Sequence, residues 1–348
     1  MGFKETYNGS DIPTEYTSSI GATVWPPVET NNERLKGVYP KVLENIDQLN
    51  QFLEEFASLK FTSNSSRITA RALVSNEALL PKSLINPKLI ETVIPLEGCD
   101  IKEVSDCLLV YFGKNAPTRQ TKPEILNRQY QQVYEIFFGN RTNNQGLTQK
   151  NILSEFSIRS LTETERCHPN VLQMYFKLYS LFNWTLKDVE EMLTNTRNLI
   201  VAAFDSEGNI ISSALAEQGI MNFEREGKEI ELSLVEITEA ATLPTYRGKG
   251  LYQAVSNKIL EELANKDPAP HLVFGELNLD APPVLKVAAQ QGRIPAISTA
   301  YQYRMPNSWF LEQHVVIYQG DGSKRLENYN NLMVAFLPRN LLIQKYGR

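Results

Sequence analysis

The sequence predicts an α/β protein in two parts, a smaller N-terminal domain and a larger one after it. Three observations lead there. An apolar, β-branched run over residues 231–243 gives way to a basic, glycine-rich turn and then at once to an amphipathic helix. Segments of strand and helical period follow one another in both halves of the chain. Between the halves lies Gly139-Asn140-Arg141-Thr142-Asn143-Asn144-Gln145-Gly146, dense in residues that break regular structure.

The length of 348 residues suits two domains, and 42% hydrophobic with 22% charged residues is ordinary for a globular protein. A net charge of -5 gives no general attraction to nucleic acid or to an anionic membrane, so neither is an expected partner. No apolar run approaches the roughly 18 residues of a membrane span. No charged-then-apolar leader opens the sequence, and the expected location is the cytoplasm. Cys99, Cys107 and Cys167 are odd in number and form no C-x-x-C, which fits free thiols in a reducing compartment. His168, His271 and His314 are too scattered to suggest a metal site, so no metal is expected.

Residues 1–40 are polar, dotted with aromatics and irregular, and read as an arm or capping segment. Leu43, Ile46, Leu49, Leu53 and Phe56 recur at helical spacing and predict a helix over 43–59. Residues 67–74 alternate as a strand, and 89–96 and 107–112 read as two more. After a polar stretch at 117–122, residues 124–138 have the pattern of a helix that bridges to the dividing loop. The expected domains are 1–122, a helical linker at 123–150, and 151–348. In the first half, a helix, a strand, a short helix near 78–84 and two strands repeat the order that follows Gly250. Two readings stay open: a degenerate half-copy of the second fold that walls its site, or an independent small α/β domain.

In the second part, 156–159 is a first strand and 170–182 a helix whose aromatic stripe is read as core. Residues 183–185 break it, 188–194 form a second helix, and 199–204 a strand. Asp205-Ser206-Glu207-Gly208-Asn209 is a hairpin turn into a strand at 210–218. The strand at 231–243 enters the glycine turn. Beyond the next helix come a strand at 271–279, a helix at 284–291 ending at Gly292, and closing strands at 297–303 and 332–337.

The turn itself is built to hold a diphosphate. Gly248 and Gly250 let the backbone approach phosphates without a Cβ in the way. The unpaired N–H groups of the following first turn point at the anion, helped by the helix dipole. Arg247 and Lys249 add positive charge, and Leu251, Val255 and Ile259 mark the buried stripe of the helix. The phosphate motif G-x-x-x-x-G-K-[ST] fails, because Leu251 follows the second glycine, and no G-x-G-x-x-G occurs.

Arg247-Gly248-Lys249-Gly250-Leu251-Tyr252, with Pro244-Thr245-Tyr246 before it, resembles the acyl-CoA-binding signature R/Q-x-x-G-x-G/A of the GNAT acyltransferase superfamily. Tyr252 stands where that signature has Gly or Ala. The longer phrase E-I-T-E-A-A-T-L-P-T-Y-R-G-K-G resembles the β-lysine N-acetyltransferase type within that superfamily. The likeness is strong over 231–265 and fades after the next helix. There Leu279-Asp280-Ala281-Pro282-Pro283-Val284 replaces the segment that shapes the acceptor pocket in those proteins.

The resemblance implies the GNAT fold, a mixed and mostly antiparallel sheet flanked by helices. It also implies an N-acyltransferase with acetyl-CoA as donor, a small amino-acid-like amine as acceptor, and direct attack without a nucleophilic residue. The oligomeric state does not follow from the sequence. Backbone groups of Ala241, Thr242 and Leu243 would hold the pantetheine arm and the carbonyl oxygen, and Arg247 to Tyr252 the diphosphate. Asn278 would touch the arm. Carboxylates near the thioester are the natural bases: Glu236, Glu239 or Glu217. Glu236 and Glu239 are three apart, so in a regular strand they face opposite sides unless a bulge intervenes. The tyrosine that protonates the departing thiolate in this superfamily is here Ala288, which leaves Tyr252, Tyr301, Tyr303 or water. A second class of function stays open, a CoA-sensing or assembly module that keeps the cradle without catalysis.

Overall fold

The computed structural model describes residues 16–17, 23–25, 34–38, 41–58, 67–79, 84, 87–115, 123–139, 155–180, 184–296, 311–318 and 324–348. It is a mixed α/β structure of two sheets flanked by helices. The first sheet comprises β1 (Tyr16–Thr17), β2 (Thr23–Trp25), β3 (Arg34–Val38), β4 (Arg67–Ser75), β5 (Ile90–Pro95) and β6 (Cys107–Asn115). Its order is β1-β2-β3-β4-β6-β5, with β3 and β4 parallel. Helix α1 (Ile46–Ser58) starts after Leu43 and buries Leu49, Leu53 and Phe56 of the predicted stripe, with Ile46 half-buried; Phe52, outside that stripe, is also buried and meets Phe112 with ring centroids 4.7 Å apart. Burial of such a stripe is what stabilises a thirteen-residue helix that would be marginal alone.

The second sheet contains β7 (Ser157–Ser160), β8 (Asn198–Phe204), β9 (Ile210–Arg225), β10 (Lys228–Thr242), β11 (Leu272–Asn278), β12 (Ile294–Pro295), β13 (Leu311–Tyr318) and β14 (Lys324–Pro338). Its order is β12-β14-β11-β10-β9-β8-β7, with β13 also on β14. Every pairing is antiparallel except β10 with β11. Helices α3 (Glu163–Arg166), α4 (Pro169–Tyr179) and α5 (Leu186–Thr194) precede β8. Capping boxes at Thr162/Glu165 and Thr185/Asp188 start α3 and α5. Helix α4 buries Tyr175 and Tyr179, so its aromatic stripe lies in the core. Helix α6 (Leu251–Ala264) lies on the other face of the sheet with α8 (Arg339–Tyr346). Helix α7 (Pro282–Gln290) follows β11.

The β9–β10 hairpin is longer than the sequence reading. Polar Asn222, Glu224 and Arg225 disguise an alternation in which Met221, Phe223, Ile230 and Leu232 are buried, and the tip is Glu226-Gly227 with φ of 53° and 75°. Of the short helix expected near 78–84, residues 76–78 form a turn and 80–83 lie outside the described residues. The strand expected at 297–303, with Tyr301 and Tyr303, also lies outside them, as do residues 140–146 of the dividing loop.

The two sheets share an apolar layer. Ile94, Leu96 and Leu109 of the first pack with Leu232, Leu234, Phe274 and Phe336 of the second. Helix α2 (Pro123–Phe138) spans both parts: Val133 and Phe137 join the core of the first sheet, and Gln129 donates to Asp280 and accepts from Asn331. Arg225 adds a polar clasp across the junction, with Nε 2.8 Å from Glu44 Oε1 and Nη1 2.6 Å from Asp106 Oδ1. Among the described residues no helix is long and apolar enough to cross a membrane.

Candidate active site

The site is a cleft opened by two strands that part. β10 and β11 pair in parallel only over Leu234–Glu236 and Leu272–Phe274. Beyond that point β10 continues on β9 to Thr242, and β11 continues on β14 to Asn278. A wedge is therefore left between them, closed at Ile237 and Gly275 and open toward the glycine turn.

At the open end, Gly248 and Gly250 have φ of 79° and 77°, left-handed values at which a side chain is strained. Gly250 caps α6 without a side chain, and nothing stands within 4 Å of a Cβ placed at Gly248. The turn from Arg247 to Gly250 is exposed. Arg247 Nε donates to Thr242 O at 3.2 Å, which ties the guanidinium to the mouth of the wedge. Lys249 keeps its charge beside the turn. Its Nζ sits 5.1 Å and 5.6 Å from the ring centroids of Tyr246 and Phe156, so it rests on aromatic faces beside the turn. Leu251 is buried at the start of the α6 stripe.

Along β10 the ladder is interrupted between Thr238 and Ala241, with Glu239 at φ 48°. This bulge changes the parity expected from a regular strand. Glu236 shares a face with Thr238 and, past the bulge, with Ala241; Glu239 sits in the bulge itself. Tyr179 holds that shape, its hydroxyl donating to the Glu239 carbonyl. The Leu243 N–H donates to Ile211 O at 3.0 Å, so it is spent within the sheet and cannot serve the wedge. By strand alternation the backbone of Thr242 faces the opposite way, as its bond from Arg247 confirms. Asn278 closes β11 with its Oδ1 accepting the Asp280 N–H at 2.8 Å, a turn that opens α7. Ala288 is buried in the core, with no hydroxyl for proton transfer there.

One face of the wedge is acidic. Glu236 stands directly opposite Glu217 on β9 and beside Phe274, and Glu276 lies two residues further along the same face of β11. Glu236 is 2% exposed. Burial pushes its carboxyl upward, to about 8, with the negative charges of Glu276 and Glu217 adding and Arg71 opposing. Sequence reasoning missed Glu276, since its partner relation to Glu236 exists only once β11 pairs with β10.

The opposite face carries Tyr252 and Arg293. Tyr252, on the first turn of α6, has its phenol pushed up by burial and lies near Arg293. Arg293 was not foreseen at all. It is 3% exposed, and among the described residues its Nε, Nη1 and Nη2 have no hydrogen-bond partner. His271 Nδ1 accepts the Ser233 N–H at 2.9 Å, and burial lowers its pKa to about 4. Among the described residues no group of histidine, cysteine and carboxylate side chains could hold a metal.

No protein-family model matches the chain, and no curated protein matches it in sequence. Solved structures similar to it include Arabidopsis thaliana NAA60 in complex with acetyl-CoA, at 12% identity over 53% of this chain and 98% of that one, with TM-score 0.38. Another is the ribosomal-protein-S18-alanine N-acetyltransferase from Escherichia coli, at 15% identity over 53% and 93%, with TM-score 0.34. A third, a putative acetyltransferase from Acinetobacter baylyi ADP1, stands at 14% identity over 53% and 91%, with TM-score 0.37.

Proposed function

We propose that this protein is an acyl-CoA-dependent N-acyltransferase of the GNAT type, acting on the amine of a small amino-acid-like acceptor. The observation that carries the reading is the wedge between β10 and β11, with a glycine anion cradle at its open end and carboxylates on one face. A chain tethered by its diphosphate at Gly248 and Gly250 would thread along β10. Its amides would meet the backbone of Thr242, and its thioester would reach the bulge at Glu239. No metal is needed for this chemistry.

The acceptor enters as an ammonium ion drawn to Glu217, Glu236 and Glu276. Glu236 takes one proton, helped by a pKa raised into the range where a base works near neutral pH. The neutral nitrogen then bonds to the thioester carbon, and the carbon–sulfur bond breaks with its electron pair on sulfur. The second nitrogen proton ends on that sulfur, giving free CoA thiol, and Glu236 returns its proton to solvent. Backbone dipoles at the bulge would stabilise the oxygen as it gains charge.

A second reading, a CoA-binding sensor, is favoured by Ala288, buried where a tyrosine would supply an acid. One assay separates them. Saturable binding of an acyl-CoA thioester with amine-dependent thiol release, for any pairing from a panel of acyl donors that includes acetyl-CoA and a panel of metabolite amines, supports the enzyme. Binding without release from any amine supports the sensor, and no binding at all overturns both.

A further inference from the structure

Arg293 has no role in the reaction as written, yet it is the most unusual side chain near the wedge. Its backbone is fixed by the turn that ends α7. Gly292 has φ 73°, and the Arg293 N–H donates to Ala288 O at 3.1 Å. Ile294 then pairs with Phe336, so the side chain has one direction to go, inward over the sheet. A Cβ built on Gly275 would lie 2.8 Å from Arg293 Nη1 and 3.0 Å from Ile237 O. The guanidinium therefore sits above the closed end of the wedge, and the missing side chain at Gly275 makes room for it.

A buried guanidinium without hydrogen bonds is costly, and buried cations ordinarily have an anion beside them. Among the described residues Arg293 has none: its electrostatic neighbours are Tyr252 and Tyr346, and burial keeps both phenols protonated near neutral pH. Glu217, Glu236 and Glu276 belong to the other face of the sheet. The diphosphate would be held at the open end, five residues of β10 from Ile237, or roughly 16 Å at the usual strand rise. The anion that completes Arg293 has to come from the part of the donor that reaches the closed end.

We infer that the acyl group of the donor ends in a carboxylate, and that Arg293 is the donor-binding residue that receives it. The inference rests on the acyl-CoA reading above and names its substrate class: a short dicarboxylic acyl thioester, in place of the acetyl group that the sequence resemblance implies. The terminal carboxylate passes through the transfer unchanged, since only the carbon–sulfur bond breaks and only the carbon–nitrogen bond forms. A neutral acyl end would leave the guanidinium charge uncompensated.

The test compares malonyl-, succinyl- and glutaryl-CoA with acetyl-CoA and with isovaleryl-CoA, the neutral counterpart of malonyl-CoA in shape, by calorimetric titration of the full chain. At least one dicarboxylic thioester should bind 10-fold or more tighter than its neutral counterpart. Arg293→Gln should abolish the preference while leaving binding of free CoA unchanged, and Arg293→Lys should retain part of it. The wild-type preference needs no variant, so misfolding of Arg293→Gln would not shelter the idea. Equal binding of charged and neutral thioesters overturns this inference alone, as does a preference that survives Arg293→Gln. Failure of every CoA compound to bind overturns the acyl-CoA reading beneath it.

Discussion

Glu236 on β10 and Glu217 on β9 stand directly opposite each other, on the face of the sheet to which the bulge also returns Ala241. Paired like charges in a ladder are unfavourable unless one is neutral or a cation lies between them. That arrangement is suited to a site that takes an ammonium ion, and it makes Glu236 the first residue to test.

Glu236→Gln keeps shape and removes basicity. Turnover should fall about 10²–10⁴-fold with CoA affinity nearly unchanged, and high pH should restore part of it as the amine loses its proton unaided. The wild-type rate should climb with pH through an acid limb near 8, and the variant should lack that limb. Full activity in Glu236→Gln would exclude it as the base.

The same carboxyl makes a prediction for stability. Its folded-state pKa lies above the ordinary 4.5, so its contribution is complete below that value and is lost as pH rises toward about 8. Glu236→Gln should therefore unfold at a higher temperature than wild type at pH 8.5, with the gap closing near pH 4. Parallel melting curves at all pH values would contradict this.

Gly248 and Gly208 form a matched pair, with φ of 79° and 81° and nothing within 4 Å of an added Cβ. Valine at either position bears the same backbone strain. Gly248→Val should lose CoA affinity at least 10-fold, whereas Gly208→Val should leave it alone. Equal affinities would mean the diphosphate lies elsewhere.

Arg225 is bidentate toward both Glu44 and Asp106 and also donates to Glu103 O at 2.6 Å. Its side chain is 18% exposed, but the carboxylates are 37% and 52% exposed, so solvent screening takes part of the gain. Arg225→Ala should cost about 1.5–3 kcal/mol in denaturant unfolding. Asp106 is held below its usual pKa by Arg225, so this contribution is present at neutral pH and lost as pH falls into the acid range.

Tyr179→Phe retains the stacking on Tyr175, with centroids 5.9 Å apart, and removes the bond to the Glu239 carbonyl. The bulge should loosen. We expect a loss of about 0.5–1.5 kcal/mol from the lost hydrogen bond and a fall in turnover that exceeds any change in CoA affinity. Turnover at the wild-type level would show that the bulge does not need this bond.

The strand, glycine turn and helix start around Gly248 and Gly250 could be read from the chain because their causes are local. Two glycines, a β-branched run before them and a helical stripe after them act within about twenty residues. The α1 stripe and the hairpin at Asp205 to Asn209 were legible for the same reason. The bulge was not. It is fixed by Tyr179, 60 residues away, and the parity rule for Glu239 assumed a straight strand. Leu243 was assigned to the donor, but its N–H belongs to β9, a matter of register that the sequence does not carry. Arg293 left no signal either, since an arginine after Gly292 looks like a solvated residue until β12 turns it inward.

The apolar layer shared by the two sheets sets when this protein can fold. Ile94 and Leu109 leave the ribosome long before Leu232, Phe274 and Phe336, the residues that cover them. The first sheet must wait, with a greasy face exposed, until more than half of the chain has been made. Contacts of such long sequence separation close slowly, and the waiting intermediate is the species most prone to aggregate. Yield in a cell should then depend on translation speed and chaperone supply more than on the stability of the finished molecule.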